Sequence, residues 1–268
     1  MSYPHPPIEQ NVLSSVGMKR VLKIAGLLLG LAVLLAAFPA YRLYVEIRKA
    51  VNEDPAAYAE DIADLVAQTR EGPVPEDAVV FIGSSSIRLW STLERDMQPL
   101  PVIQHGFGGA KLADVEFYAE RLVNPFDPRA VVVFAGTNDL QPHASKSPAV
   151  LLKTYQRFVE RVRSDLPNVS IYFIGITPSP LRWEIWDRAQ ETNRLVREWS
   201  KRNPVLFYIE TGPALLAEDG EPDADNYMFD GLHLSAQGYA IWTEIIRTRL
   251  MEDLQPAPRI GIPRHGLP

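Results

Sequence analysis

The chain has 268 residues, room for one α/β domain of about 200 residues with an appendage but not for a second full domain. Apolar residues make up 46% and charged residues 22%, a balance that excludes disordered and collagen-like classes. A formal charge of −6 without a long Lys/Arg run argues against nucleic acid as a partner, and the absence of cysteine rules out disulfides, thiolate nucleophiles and Cys-bound zinc.

Residues 1–20 read as an N-terminal tail. Residues 24–40 carry no charge, and Val21, Leu22 and Tyr41 extend the stretch to roughly the 20 residues that a ~30 Å hydrocarbon layer requires. Leu27, Leu28, Leu29, Leu31, Val33, Leu34 and Leu35 leave no polar face, so a transmembrane helix over 21–41 is expected rather than a buried core helix. Lys19, Arg20 and Lys23 would also suit a cleaved signal peptide, but Phe38 and Pro39 spoil the small-x-small cleavage site, which favours an uncleaved signal anchor. Arg42, Arg48 and Lys49 follow the span, so the charge bias across it is nearly balanced. The domain that follows is expected on the periplasmic or extracellular side.

A linker helix is expected over 42–73: Asp54-Pro55 reads as a cap with proline at the first helical position, and Tyr58, Ile62, Leu65 and Val66 follow at helical spacing up to Gly72-Pro73. Short apolar runs then recur at 78–82, 102–104, 130–135, 170–176 and 205–209, the pattern of buried parallel strands. Helical patterns lie between them at 149–162 and 183–199, and a last helix starts near Ser235 with Tyr239, Trp242, Ile246 and Leu250 on one face. This alternation implies a doubly wound α/β domain over 74–253. Residues 254–268 are proline-rich and aperiodic, and read as a flexible tail.

Chemistry-bearing residues fall where strands end. Gly83-Ser84-Ser85-Ser86 follows the first strand, at the edge where open α/β sheets bind ligands, and a helix beginning near Ile87 would add its N-terminal dipole. Serines after a strand most often cap the next helix, and a serine hydroxyl is a poor nucleophile without a base, so a paired histidine is the deciding partner. His5 and His265 lie in tails, His143 in a Pro/Ser-rich loop, and His105 lacks a nearby acid. His233 alone has a carboxylate three residues before it, Asp230, close enough to hold Nδ1 and leave Nε2 to accept a proton.

Developing negative charge needs donors, and three loops supply them: Gly109 within Gly106-Phe107-Gly108-Gly109, Asn138 within Gly136-Thr137-Asn138-Asp139, and the amide of Ser85. Gly106-x-Gly108 also begins a dinucleotide fingerprint, but Lys111 occupies the third glycine's place. No metal-ligand spacing is present, and no cofactor is implied. Trp90, Phe107, Trp183 and Trp186 could form a sugar platform or an acyl groove, or be packing residues.

These four blocks, in this order over 78–250, resemble the SGNH hydrolase superfamily, also called GDSL-type esterases and lipases. The resemblance implies a flavodoxin-like three-layer α/β/α sandwich with a five-stranded parallel sheet. It also implies Ser85 as nucleophile, Gly109 and Asn138 as oxyanion donors, and Asp230 and His233 as the other triad members. The usual Gly-Asp-Ser-Leu reads Gly83-Ser84-Ser85-Ser86 here; the missing aspartate is not the triad acid. The expected activity is hydrolysis of a carboxylic ester, an acetylated cell-envelope glycan or a lipid ester. Binding of a glycan or partner without catalysis, and acyl transfer to an acceptor other than water, fit the same residues.

Overall fold

The computed structural model describes residues 18–30, single helical positions between 37 and 51, and residues 52–254 apart from 143 and 145. The chain divides into two compact units, Met1–Arg48 and Lys49–Pro268. In the first, helix already covers residues 18–20 of the expected tail and continues to residue 30. On it Val21, Leu22, Ile24, Leu27, Leu28 and Leu29 are between 58% and 74% exposed. Among the described residues no helix is long and apolar enough to cross a membrane; much of the span expected over 21–41, including residues 31–36 and 38–40, lies outside them.

The second unit carries five strands: β1 (Val79–Gly83), β2 (Val102–Gly106), β3 (Ala130–Phe134), β4 (Ser170–Ile174) and β5 (Leu206–Ile209). They form one parallel sheet of order β2-β1-β3-β4-β5, with Val79 opposite both Val102 and Ala130. Strand side chains alternate between two buried faces. Val80, Ile82, Val131, Val133, Ile171 and Phe173 enter one core, and Val79, Phe81, Val132, Phe134, Tyr172 and Ile174 enter the other. Burial on both faces is why the central strands β1 and β3 read as nearly unbroken apolar runs, whereas edge strand β2 carries Gln104 and His105.

The helices are α1 (Ala59–Arg70), α2 (Ser85–Arg88), α3 (Leu93–Asp96), α4 (Leu112–Leu122), α5 (Pro148–Asp165), α6 (Trp186–Ser200) and α7 (Ala236–Asp253). Side chains of α1, α4, α5 and α6 fill the first core, and those of α2, α3 and α7 the second, giving three layers. Local chemistry sets the long ones. Ser147 accepts from the Val150 N–H at 3.4 Å with Pro148 at the first helical position of α5, and Ser235 accepts from the Gly238 N–H at 3.3 Å to start α7. α4 has no counterpart among the sequence expectations. The helix expected over 183–199 is interrupted: Pro180–Ile185 is a 3₁₀ turn with Arg182 at non-helical φ −119°, and only then does α6 begin.

From Lys49 on, the segment expected as a linker helix over 42–73 belongs to the second unit. Asp54 caps a 3₁₀ turn, Pro55–Tyr58, by accepting from the Ala56 N–H at 2.9 Å, and α1 follows directly. Tyr58 and Ile62 are fully buried, Tyr58 meets Phe107 edge-on at 5.1 Å, and the Tyr118 hydroxyl donates to the Pro55 carbonyl at 2.9 Å. At the other end Leu254 closes α7 and is buried; residues 255–268 of the expected tail lie outside the described ones.

Candidate active site

In an open parallel sheet, ligands settle outside the carboxyl ends of the strands where the strand order reverses, here beside β1 between β2 and β3. Gly83 lets the end of β1 close on β3. A Cβ at that position would stand 2.1 Å from the Phe134 carbonyl oxygen, which instead accepts the Ser84 N–H at 3.0 Å. Ser84 therefore leaves the strand and Ser85 opens the short helix α2. As the first helical residue, Ser85 has an amide with no intrahelical acceptor. The turn is pinned from α7, whose Tyr239 hydroxyl donates to the Ser86 carbonyl at 2.8 Å.

The histidine arrives from the far end of the sequence. His233 Nε2 lies 2.9 Å from Ser85 Oγ, and His233 Nδ1 lies 2.7 Å from Asp230 Oδ2. The other Asp230 oxygen accepts the main-chain N–H groups of Leu232 and His233, both at 3.0 Å. Burial pushes this carboxyl up, but the hydrogen bonds from the His233 ring and from the two amides outweigh it and hold Asp230 below its ordinary value. The loop is fixed by further main-chain bonds, Met228 N–H to the His233 carbonyl at 2.7 Å, Gly231 N–H to Met228 at 2.9 Å and Leu181 N–H to Gly231 at 2.8 Å. A hydroxyl, an imidazole held in one tautomer and an ionised carboxylate are thus in line for proton transfer.

Gly109 adopts φ +73°, a backbone conformation that side chains resist, in the turn after β2. Asn138 follows β3. Its Nδ2 donates to the Ala110 carbonyl at 3.0 Å, while its Oδ1 accepts from Gln141 Nε2 at 3.2 Å, so the amide nitrogen is the end turned toward the Gly109 loop. One N–H of Nδ2 remains for a ligand. Ser84, Ser85, Ser86, Phe134, Thr137, Asn138, Thr177, Ser179 and Leu232 line a common cavity. The structure brings Ser85, Asn138, Asp230 and His233 to one site and places Gly109 in the loop that Asn138 holds. The loop after β4, with Thr177 and Ser179, had no motif to announce it, and Gln141 was legible only as an amide three residues after Asn138.

Other residues singled out in the sequence serve the core. His105 is fully buried, donates from Nδ1 to the Leu122 carbonyl at 2.7 Å and meets the Thr69 hydroxyl through Nε2 at 2.9 Å. Burial pushes it down to about 4, which keeps it neutral. Trp90, Phe107 and Trp186 are buried, where apolar area this large is worth more, and Trp183 packs partly buried against the core. His5, His143 and His265 lie outside the described residues. Among the described residues no group of three or more His, Asp or Glu side chains is arranged to hold a metal ion.

Residues 83–241 match the GDSL-like Lipase/Acylhydrolase family. The chain belongs to this family. A curated relative, platelet-activating factor acetylhydrolase IB subunit alpha2 of Bos taurus, is 25% identical over 195 residues, covering 68% of this chain and 80% of the relative. Among solved structures, a GDSL-like lipase from Bacteroides thetaiotaomicron superposes with a TM-score of 0.60 at 21% identity, covering 76% of this chain and 100% of that one. The family 3 carbohydrate esterase of Clostridium thermocellum gives 0.53 at 15% identity over 66% and 96%. These two likenesses establish the shared fold.

Proposed function

We propose that this member of the GDSL-like family is a serine esterase that hydrolyses carboxylic esters with short acyl groups. The observation that carries the reading is the unbroken chain Ser85 Oγ, His233 Nε2, His233 Nδ1, Asp230 Oδ2, with contacts of 2.9 Å and 2.7 Å. His233 takes the Ser85 proton as Oγ attacks the ester carbonyl, and Asp230 stabilises the imidazolium that results. The tetrahedral oxyanion is received by the Ser85 and Gly109 amides and by Asn138 Nδ2. His233 then protonates the departing alcohol, leaving an acyl-enzyme, and next activates the water that releases the acid and returns the proton to Ser85.

A short acyl group is supported by the cavity beside Ser85. Its interior volume is about 20 Å³, and by that measure one water occupies ~10–15 Å³. A relative named as an acetylhydrolase accords with it. The alcohol half, an envelope glycan or a lipid, lies beyond this cavity. We also read the uncharged stretch 24–40 as a membrane anchor that holds the enzyme with its domain outside. The apolar, exposed surface of helix 18–30 supports that reading.

A panel of p-nitrophenyl esters from acetyl to palmitoyl tests the proposal. The expected result is kcat/KM highest for acetyl or propionyl, falling at least ~10-fold by octanoyl, with hydrolysis and fluorophosphonate labelling both lost in Ser85→Ala. Hydrolysis that survives Ser85→Ala would remove the esterase reading, and a maximum at palmitoyl would remove the short-acyl one.

A further inference from the structure

Behind the oxyanion loops lies a group of buried charges that the reaction itself does not use. Asp139 follows Asn138 directly and is 1% exposed. Its Oδ2 accepts the Leu112 N–H at 2.7 Å, and Leu112 is the residue that opens α4 after the Gly109 loop. Asn138 and Asp139 are thus adjacent rungs between the same two loops, one reaching the Ala110 carbonyl and the other the Leu112 amide. The second oxygen of Asp139 lies 3.6 Å from Lys146 Nζ, and its carbonyl accepts the Lys146 N–H at 3.1 Å. The 140–146 loop is held from α6, where Arg188 donates to the carbonyls of Leu140 and Lys146.

The group reaches back to the segment before α1. Lys146 Nζ also meets Glu53 at 3.0 Å, while the buried Lys111 donates from Nζ to the Asn52 carbonyl at 2.6 Å and lies 3.7 Å from Asp114. Three carboxylates, Glu53, Asp114 and Asp139, therefore surround two ammonium groups, Lys111 and Lys146.

Lys111, Asp114 and Asp139 are buried while Lys146 and Glu53 sit at the rim, 21% and 61% exposed, and burying the first three opposes folding. Desolvation pushes the Asp139 carboxyl up to about 6, against the Leu112 N–H and the charges of Lys146 and Lys111. With its folded value raised, the stability that Asp139 contributes is full below the ordinary carboxylate range and is lost as pH rises through about 6. A carboxylate kept at neutral pH in such a place costs stability, yet as an ionised acceptor it makes a shorter, stronger bond to an amide than a neutral group would. Oxyanion donors work because their positions are fixed before charge develops, and displacements near 1 Å cost on the order of 10²-fold in rate.

We propose that Asp139 is a positioning residue of the oxyanion hole, tying the loop that carries Gly109 to the loop that carries Asn138 and clamping both, through Lys111 and Lys146, to the segment at Asn52 and Glu53. The proposal rests on the esterase reading above. It makes residues outside the matched family region part of the machinery that sets the rate.

The test is a double-mutant cycle in the full chain with p-nitrophenyl acetate, reading kcat, KM and the melting midpoint. Asp139→Ala should lower kcat about 10- to 100-fold with KM within ~3-fold. Asp139→Asn, which keeps one acceptor for the Leu112 amide and leaves two carboxylates against two ammonium groups, should recover part of kcat and melt no lower than wild type at pH 7. In an Asn138→Ala background, adding Asp139→Ala should lower kcat clearly less than it does in wild type, because one of the two donors it positions is already gone. A kcat for Asp139→Ala within twofold of wild type, or an effect that multiplies undiminished with Asn138→Ala, overturns the proposal. Should the alanine variant fail to fold, Asp139→Asn carries the cycle, with kcat expected ~3- to 10-fold below wild type and the same non-additivity. Activity lost in Ser85→Ala but untouched in Asp139→Ala sinks the positioning role alone. Hydrolysis that survives Ser85→Ala, or is absent from wild type on every ester, sinks the esterase reading beneath it.

Discussion

The mouth of the site and the layer directly behind it use polar groups in opposite ways. At the mouth, the His233 and Asp230 side chains are 20% and 33% exposed and their contacts form one short chain of proton donors and acceptors. Behind it, the Lys111 and Asp114 side chains are 1% and 0% exposed, Asp139 is 1% exposed, and their bonds run to main-chain groups of neighbouring loops. Groups that must change charge during a reaction stay shallow, where water limits the cost of each protonation state. Groups that must hold geometry lie deep, where a lost partner leaves an unsatisfied charge and each contact is correspondingly hard to break.

Removing the charge at the mouth should give the largest effect that this contrast predicts. Asp230→Asn keeps the shape of the loop but no longer fixes the His233 tautomer or stabilises the imidazolium, so kcat should fall ~10³- to 10⁴-fold. The pH dependence of its stability contribution should be confined to acid. Because the folded carboxyl sits below its ordinary value, its contribution is present above the ordinary carboxylate range and is lost as pH falls through the depressed value. Melting curves of the two proteins should therefore converge below about pH 4 and separate above it. Asn138→Ala, on the border between mouth and interior, should cost ~10²- to 10³-fold in kcat with little change in KM. A loss in KM alone would make Asn138 a substrate-binding group and blur the distinction.

Much of this arrangement could be read before the fold was known, for physical reasons that differ by element. Strands with buried faces leave short apolar runs, and all five were placed within two residues of at least one end and read as parallel; the sheet order rested on the family resemblance. Asp230 and His233 were legible because their pairing is local in sequence, while the family resemblance selected Ser85, which meets the histidine across 148 positions, from three adjacent serines. α4 was not read although Leu112, Val115, Ala119 and Leu122 stand at helical spacing: the element is only 11 residues long, and Asp114 and Glu116, buried beside that stripe, make it look polar. Asp139 was printed in a recognised block, yet its role depends on the amide of Leu112, 27 residues upstream, which no local pattern encodes. The tryptophans were read as either platform or packing; three-dimensional burial decides for packing.

His105 supplies the deep-layer counterpart to His233 and the smallest effect, one confined to stability. It stands on β2 in register with Ile82, its two ring nitrogens already engaged by the Leu122 carbonyl and the Thr69 hydroxyl. Burial lowers its pKa from 6.5 to about 4, so between these values the unfolded chain binds a proton that the folded chain refuses. Its contribution is full above the ordinary histidine value and is lost as pH falls toward 4, a change on the order of 3 kcal/mol over the whole window. Asp139 slopes the other way over part of the same range, so the comparison must be made against a variant and not from wild type alone. In His105→Gln, which keeps a donor and an acceptor, the fall in melting midpoint between pH 6.5 and pH 4 should be visibly shallower than in wild type. At pH 7 its kcat on p-nitrophenyl acetate should stay within ~2-fold, since this ring faces α1 and α4 and not the cleft. An unchanged pH slope in the variant would mean that the buried histidine is not the group resisting protonation, and the division between a titrating mouth and a static interior would lose its clearest example.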